Sequence, residues 1–266
     1  MSAVRPAAVA GMFYPEAAPA LGAQVRAYLE GAVAAPGPVQ PKALIVPHAG
    51  YVYSGPIAAT AYSRLLRCFD AIRRVVLLGP AHRVPFNGLA VPSAVAFATP
   101  LGEVEVDRRA IACALELAQV SESERAHALE HSLEVQLPFL QTLLRSFRLV
   151  PFAVGDATTT EVAEVIELLW GGRETLIVVS SDLSHYHAYA EARGIDRATA
   201  DAVLRLSPTL GYEQACGAQP INGLLTVARR RGLKPELLDL RNSGDTAGDK
   251  FRVVGYGAFV FGEPQP

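Results

Sequence analysis

Residues 43–51 read Ala43-Leu44-Ile45-Val46-Pro47-His48-Ala49-Gly50-Tyr51. The apolar run from Ala43 to Val46 has no polar face, which predicts a strand buried on both sides, with Pro47 at its end. A histidine, a glycine and a tyrosine follow. Ser54-Gly55-Pro56 then supplies a capping hydroxyl and an early proline, predicting the start of a helix through Ile57-Ala58-Ala59. Strand, polar turn and helix in that order form the repeating unit of an α/β fold.

The same alternation continues outward. Candidate strands lie at Arg74–Gly79, Leu89–Pro92, Leu149–Val154, Thr175–Ser180, Leu237–Leu240 and Val253–Phe261. Helix-length stretches fall near 16–30, 55–69, 107–119, 132–146, 159–170, 191–206 and 220–231. Thr158 and Glu161 have capping-box spacing before one of them. Pro138 predicts a kink or restart within another. The final strand alternates more than the rest and is expected to pair antiparallel at an edge. The Gly-, Pro- and Ala-rich segment 31–41 reads as a connection, and no repeat divides the chain. The expectation is an α/β protein with a single domain over 1–266, built on a mostly parallel central sheet with helices on both faces.

Composition narrows the function. Of 266 residues, 50% are apolar and 19% charged, enough to bury a core. The 24 basic and 26 acidic residues leave a net charge of -2, so neither nucleic acid nor an anionic membrane is an expected partner. No apolar run reaches the ~18 residues of a membrane span, and the N-terminal sequence does not read as a signal peptide. Cys68, Cys113 and Cys216 are far apart and form no CxxC pair, which fits a reducing, cytoplasmic location. Cys68 and Cys113 fall in apolar helical patterns and are expected to be buried.

The polar residues gather where strands end. His48 follows the first strand. Gly79-Pro80-Ala81-His82 ends the second, and Ser181-Asp182-Leu183-Ser184-His185-Tyr186-His187 follows Thr175–Ser180. The carboxyl edge of an open α/β sheet is where ligands bind. Two imidazoles there can hold one ion, and a carboxylate would complete the facial arrangement of non-haem iron. The plainer alternative is that these histidines hydrogen-bond neighbouring loops. Asp182 and His185 can act as an acid/base pair, or Asp182 can cap a helix. His131 opens a helix in Glu130-His131-Ser132. His187 is expected to be exposed, and His127 to be a solvated loop residue. The loop Asn242–Lys250 lacks the phosphate-loop order, and no nucleophile elbow occurs.

Several segments together resemble the Memo-like family: GMFYP at 11–15, VPHAGYVYSGPIAATAY at 46–62, LLGPAHRV at 77–84, EHSLEVQLPFL at 130–140, SSDLSHY at 180–186, Cys216–Pro220, and NSGDTAGDK with VVGYGAFVF near the end. The resemblance implies a fold like that of class III extradiol dioxygenases, which cleave aromatic rings with non-haem iron. It implies metal-binding roles for His48 and His82, with Asp182, His185 and His131 as catalytic companions. Tyr51, Thr246 and Asp249 are expected along the cleft. The metal-binding cysteine of eukaryotic relatives aligns with Thr246, a poor ligand, so either Asp245 supplies the third bond, Asp249 does so with a shifted loop, or the metal is absent. Asp245 is favoured. Iron is the favoured ion, ahead of copper and zinc. Eukaryotic relatives are described as signalling effectors with metal-linked redox behaviour, and prokaryotic ones are linked by gene association to a radical-SAM protein, an expected partner.

Three functions fit these readings. The first is a metal-dependent oxidoreductase acting on a small molecule. The second is a non-catalytic protein whose cleft receives a peptide or partner segment. The third is a metal-dependent hydrolase.

Overall fold

The computed structural model describes residues 4–32 and 41–263, so most of the expected connection at 31–41 lies outside the described residues. The strands are β1 (Val4–Arg5), β2 (Pro41–Val46), β3 (Arg74–Pro80), β4 (Leu89–Val91), β5 (Ala96–Thr99), β6 (Gly102–Glu105), β7 (Val120–Glu122), β8 (Arg148–Val154), β9 (Thr175–Ser180), β10 (His185–His187), β11 (Lys234–Asn242) and β12 (Val253–Gly262). The α-helices are α1 (Ala18–Gly31), α2 (Tyr51–Tyr62), α3 (Arg108–Ala114), α4 (Glu124–Ala128), α5 (Leu137–Leu143), α6 (Thr159–Leu168), α7 (Tyr189–Leu204) and α8 (Ala218–Arg231).

The centre of the main sheet is parallel. β2 pairs with β9, β9 with β3, and β3 with β8, setting Ile45 opposite Val179 and Val76 opposite Ile177. Every residue of β9 is buried, as its unbroken apolar sequence requires with helices on both faces. One group, α1, α2 and α5, places α2 against β2, β11 and β12; a second, α6 and α8, places α8 against β3 and β9. One hydrophobic core runs from Val9 to Phe261. Antiparallel strands flank the centre: β12 joins β2, and β4 joins β8. A separate small sheet has the order β1-β5-β6. No helix among the described residues is long and apolar enough to cross a membrane.

Several local readings are met. Thr158 and Glu161 form a reciprocal capping box at α6. Pro138 sits in the first turn of α5, where the helix restarts after a one-turn 3-10 segment, Glu134–Gln136. Others need correction. The last strand is antiparallel but not an edge, because β11 and β10 pair along it. α2 begins at Tyr51, so Pro56 lies inside it, and the Ser54 hydroxyl donates to the Ala49 carbonyl instead of capping. Cys113 is exposed, because it lies off the stripe of Ala110, Ile111 and Ala114 that its helix buries, and Cys68 is only half-buried at the edge of the core.

Parallel order puts the ends of β2, β9 and β3 side by side. Residues 47–49, 181–183 and 81–83 therefore emerge together at one edge of the sheet.

Candidate functional site

That edge forms the floor of a cleft of about 610 Å³. His48, His82, His131, Asp182 and His185 all line it. His48 comes from the end of β2, His82 from the end of β3, and Asp182 from the end of β9. His131 arrives from elsewhere in the chain. The segment carrying it packs against β3 at Gly79, where a Cβ would lie 2.7 Å from the Ser132 hydroxyl oxygen. Only glycine permits that approach.

Hydrogen bonds fix how the rings face. Tyr62 donates its hydroxyl hydrogen to Gln136 Oε1 at 3.0 Å, so the Gln136 amide nitrogen points the other way, donating to the Pro47 carbonyl at 2.9 Å and to Ser180 Oγ at 2.8 Å. Ser180 gives its one hydrogen to the Ser132 carbonyl at 2.5 Å. His48 Nδ1, 3.0 Å from Ser180 Oγ, must then be the donor. Nε2 of His48 then carries the lone pair, with the Cys216 sulfur 3.4 Å from it. His48 is 1% exposed, and burial first, then the neighbouring histidines, hold it well below the usual imidazole range.

His82 is oriented in the same way. Glu130, buried beside it, accepts from the His82 backbone N–H at 2.6 Å, from the Ser132 N–H at 2.9 Å, and faces His82 Nδ1 at 2.9 Å. Burial pushes the Glu130 carboxyl up, but these bonds outweigh it and bring it down to about 2. An ionised carboxylate only accepts, so His82 Nδ1 is the donor, which fixes the ring. The third ring, His131, stacks on His82 with centroids 4.6 Å apart and meets Phe13 at a tilt, centroids 4.7 Å apart. Burial lowers its pKa to about 4, so it is neutral at pH 7 and its 3.4 Å approach to Glu130 is not an ion pair. Its buried Nδ1 has no hydrogen-bond partner among the described residues.

One ligand nitrogen from each of His48, His82 and His131 lies within 4.8 Å of the others. Three imidazoles, two oriented by outer partners and one with a buried nitrogen unused, fit a divalent cation better than they fit each other. Among the described residues, His131 and not Asp245 completes the group whose ligand atoms could share an ion. Asp245 is turned away because its carboxylate accepts from the Tyr189 hydroxyl at 2.6 Å and from the Asn242 N–H at 3.0 Å, closing a one-turn 3-10 helix. The expectation came from the resemblance, since Asp245 adjoins Thr246; the proximity of His131 depends on a tertiary approach.

The remaining expectations divide. Tyr51 is a core residue and not a cleft residue: it is 2% exposed, lies between Tyr14 and Phe139, and donates to the Val135 carbonyl at 2.6 Å. Two residues along α2, Tyr53 lines the cleft in its stead. Thr246 turns its hydroxyl to the Ser243 carbonyl. Asp249 lines the cleft but accepts from the N–H groups of Phe251 and Arg252. Asp182 accepts from the His48 N–H at 2.7 Å, and no hydrogen bond joins it to His185 among the described residues. Burial raises its carboxyl to about 7 against the backbone N–H groups of His48 and Ala49. His185 is lowered, chiefly by burial. His127 is not solvated: it is 1% exposed, with Nε2 at 2.9 Å from the Ala90 carbonyl. His187 is half-buried against Glu191.

Glu130, Gln136 and Ser180 were missed as partners of the His48 and His82 rings. Only the carboxylate adjoining His131 in sequence gave any signal for them.

The Memo-like protein family model matches residues 5–260. The chain belongs to the Memo-like family. Its relatives include a MEMO1 family protein of Archaeoglobus fulgidus, 38% identical over 95% of this chain and 97% of the relative. Another, from Aquifex aeolicus, is 38% identical over 97% and 99%, and one from Aeropyrum pernix is 40% identical over 81% and 82%. The family match spans the β2, β3 and β9 ends that carry the cleft.

Proposed function

We propose that this Memo-like protein is a metal-dependent oxidoreductase of small organic molecules, using His48, His82 and His131 to hold a divalent ion. The reading is carried by one observation: three imidazole nitrogens converge on the floor of an open cleft. A bound ion would supply Lewis-acid and redox chemistry there. The chain's own groups do the rest. Phe13, Tyr53, Tyr186 and Tyr256 wall the cleft and suit a flat, partly apolar substrate. Asp182, poised near neutrality, and His185 are placed to hold or accept a proton from it.

A hydrolase is the second reading, favoured by the donor set itself. Three neutral ligands without a carboxylate leave the ion's full charge to polarise water, as in zinc enzymes whose metal is held by three histidines. The experiment is metal analysis of untagged protein purified without chelator, followed by reconstitution with iron(II) or zinc. Metal is expected to be retained by wild type and Asp245→Asn and lost in His131→Ala. Oxygen uptake with iron supports the oxidoreductase; ester hydrolysis with zinc supports the hydrolase. A wild-type protein that takes up no metal would leave the cleft to a peptide or partner.

A further inference from the structure

Tyr186 stands on a bulge where β10 meets β12. Val253 and Val254 are consecutive, yet they pair with His187 and His185, so Tyr186 is the extra residue. Its φ is 62°, in the left-handed region that a bulky side chain rarely enters. A bulge re-aims the side chain it carries. Here the Tyr186 ring is left 64% exposed and forms part of the cleft wall. The Arg252 guanidinium lies over that ring, its carbon 5.2 Å from the centroid.

Arg252 immediately precedes β12 and, among the described residues, is the one lysine or arginine lining the cleft. Asp249 shapes the turn before it, accepting through one oxygen from the Phe251 N–H at 2.8 Å and the Arg252 N–H at 3.4 Å. Both bonds go to the backbone. Among the described residues no carboxylate pairs with the Arg252 guanidinium, so most of its five N–H donors have no acceptor in the protein. A solvated arginine resting on an aromatic face is the simpler account. It does not explain why the ring beneath is held in a strained backbone conformation, of the kind that clusters at ligand-binding sites. Lys250 adds no second charge to the cleft, since it lies over Tyr189 and is not among the lining residues. One unanswered positive charge suits a monoanion. A phosphate dianion would call for a second cation or a cradle of N–H groups.

We propose that Arg252, seated on Tyr186, binds the carboxylate of the substrate and so directs the cleft to small aromatic acids. The proposal rests on the reading above that the cleft takes a flat organic molecule, and not on its ion. The guanidinium fork donates two parallel N–H bonds to a carboxylate, while Phe13, Tyr53 and Tyr256 offer ring surface to the aromatic body. Arg252 sets specificity. Tyr186 is a positioning residue: its ring limits where the guanidinium can stand, so less side-chain freedom is lost when the anion arrives.

The test is binding of benzoate and of benzamide, its neutral isostere, to chelator-treated full-length protein, followed by ligand-observed NMR. Removing metal prevents the carboxylate from ligating an ion. Wild type is expected to bind benzoate at least about 10-fold more tightly than benzamide, the worth of a charge-assisted hydrogen-bonded pair. Arg252→Gln should lose that preference by weakening benzoate alone. Arg252→Lys keeps the charge without the fork and should keep part of it. Tyr186→Ala should reduce the preference about 2–5-fold, the worth of an exposed cation–π contact. Arg193→Gln, over Tyr189 and outside the cleft lining, should change neither affinity. Should Arg252→Gln fail to fold, salt at about 0.5 M must weaken benzoate and spare benzamide in wild type. Equal binding of the two probes, or a preference that survives Arg252→Gln, overturns the carboxylate clamp and leaves the imidazole site standing. Binding of neither probe also overturns the clamp, while metal retention by the same protein decides the oxidoreductase reading separately.

Discussion

Glu130 receives three N–H donors, from the His82 backbone, the His82 ring and Ser132, and a carboxylate can accept all three. An amide cannot. In Glu130→Gln the NH2 group faces either the His82 backbone N–H or the pair formed by His82 Nδ1 and Ser132 N–H, so a donor meets a donor. The His82 ring then loses its fixed tautomer, and metal affinity is expected to fall about 10–100-fold with the fold retained. Metal titration with circular dichroism checks this; an affinity within twofold of wild type would remove Glu130 from the site. Ser180→Ala makes the parallel test for His48, whose Nδ1 loses its acceptor. A fall of about 10-fold is expected there too, measured in the same way.

At the scale of elements, the N-terminal strap from Arg5 to Tyr14 is clasped to the segment before α5. Glu134, fully buried, accepts from the Arg5 guanidinium, the N–H groups of Ala8 and Val9, and the Tyr14 hydroxyl. The strap in turn lays Phe13 on His131. Glu134→Leu would leave the Arg5 charge buried without its partner, and a loss of about 3–5 kcal/mol is expected in urea unfolding. Arg5→Met with Glu134→Leu should cost less than the two single changes added together. Additive losses would mean the pair is not coupled. None of this clasp was legible in the sequence, because its partners lie 120 or more positions apart. β2, β3 and β9 were legible, since burial on both faces writes an unbroken apolar run. The hairpin of β5 and β6 was not: Gly102-Glu103-Val104-Glu105 buries one side chain in four. His48 and His82 could be paired because each ends a parallel strand. His131 could not, because its place depends on the Gly79 approach and on no periodicity of its own.

Across the whole molecule, histidines held neutral by burial make the fold sensitive to acid. His127 is the cleanest reporter, since it lies away from the cleft, against Phe97 and the Ala90 carbonyl. Burial lowers it from 6.5 to about 4, and the Arg5 charge adds to this, against the Ala90 bond and the charges of Glu124 and Glu130. With the folded pKa below the unfolded one, unfolding takes up a proton between those two values. The contribution of His127 is therefore complete above pH 6.5 and is lost as pH falls towards 4. Between pH 7 and pH 5 the loss is about 2 kcal/mol. His48, His131 and His185 act in the same direction, while Asp182 and Asp196, raised to about 7 and about 6, oppose them by holding protons the unfolded chain releases. His127→Phe keeps an aromatic ring and removes this titration, the bond to Ala90 and the unpaired buried Nδ1. At pH 7 the variant should be less stable than wild type, by roughly the 1–3 kcal/mol of an unsatisfied carbonyl. By pH 5 wild type alone should have lost the proton-linked part, so the gap should close or reverse. Urea unfolding of metal-free protein at the two pH values measures it; a gap that stays constant would mean that His127 is not held neutral by the fold.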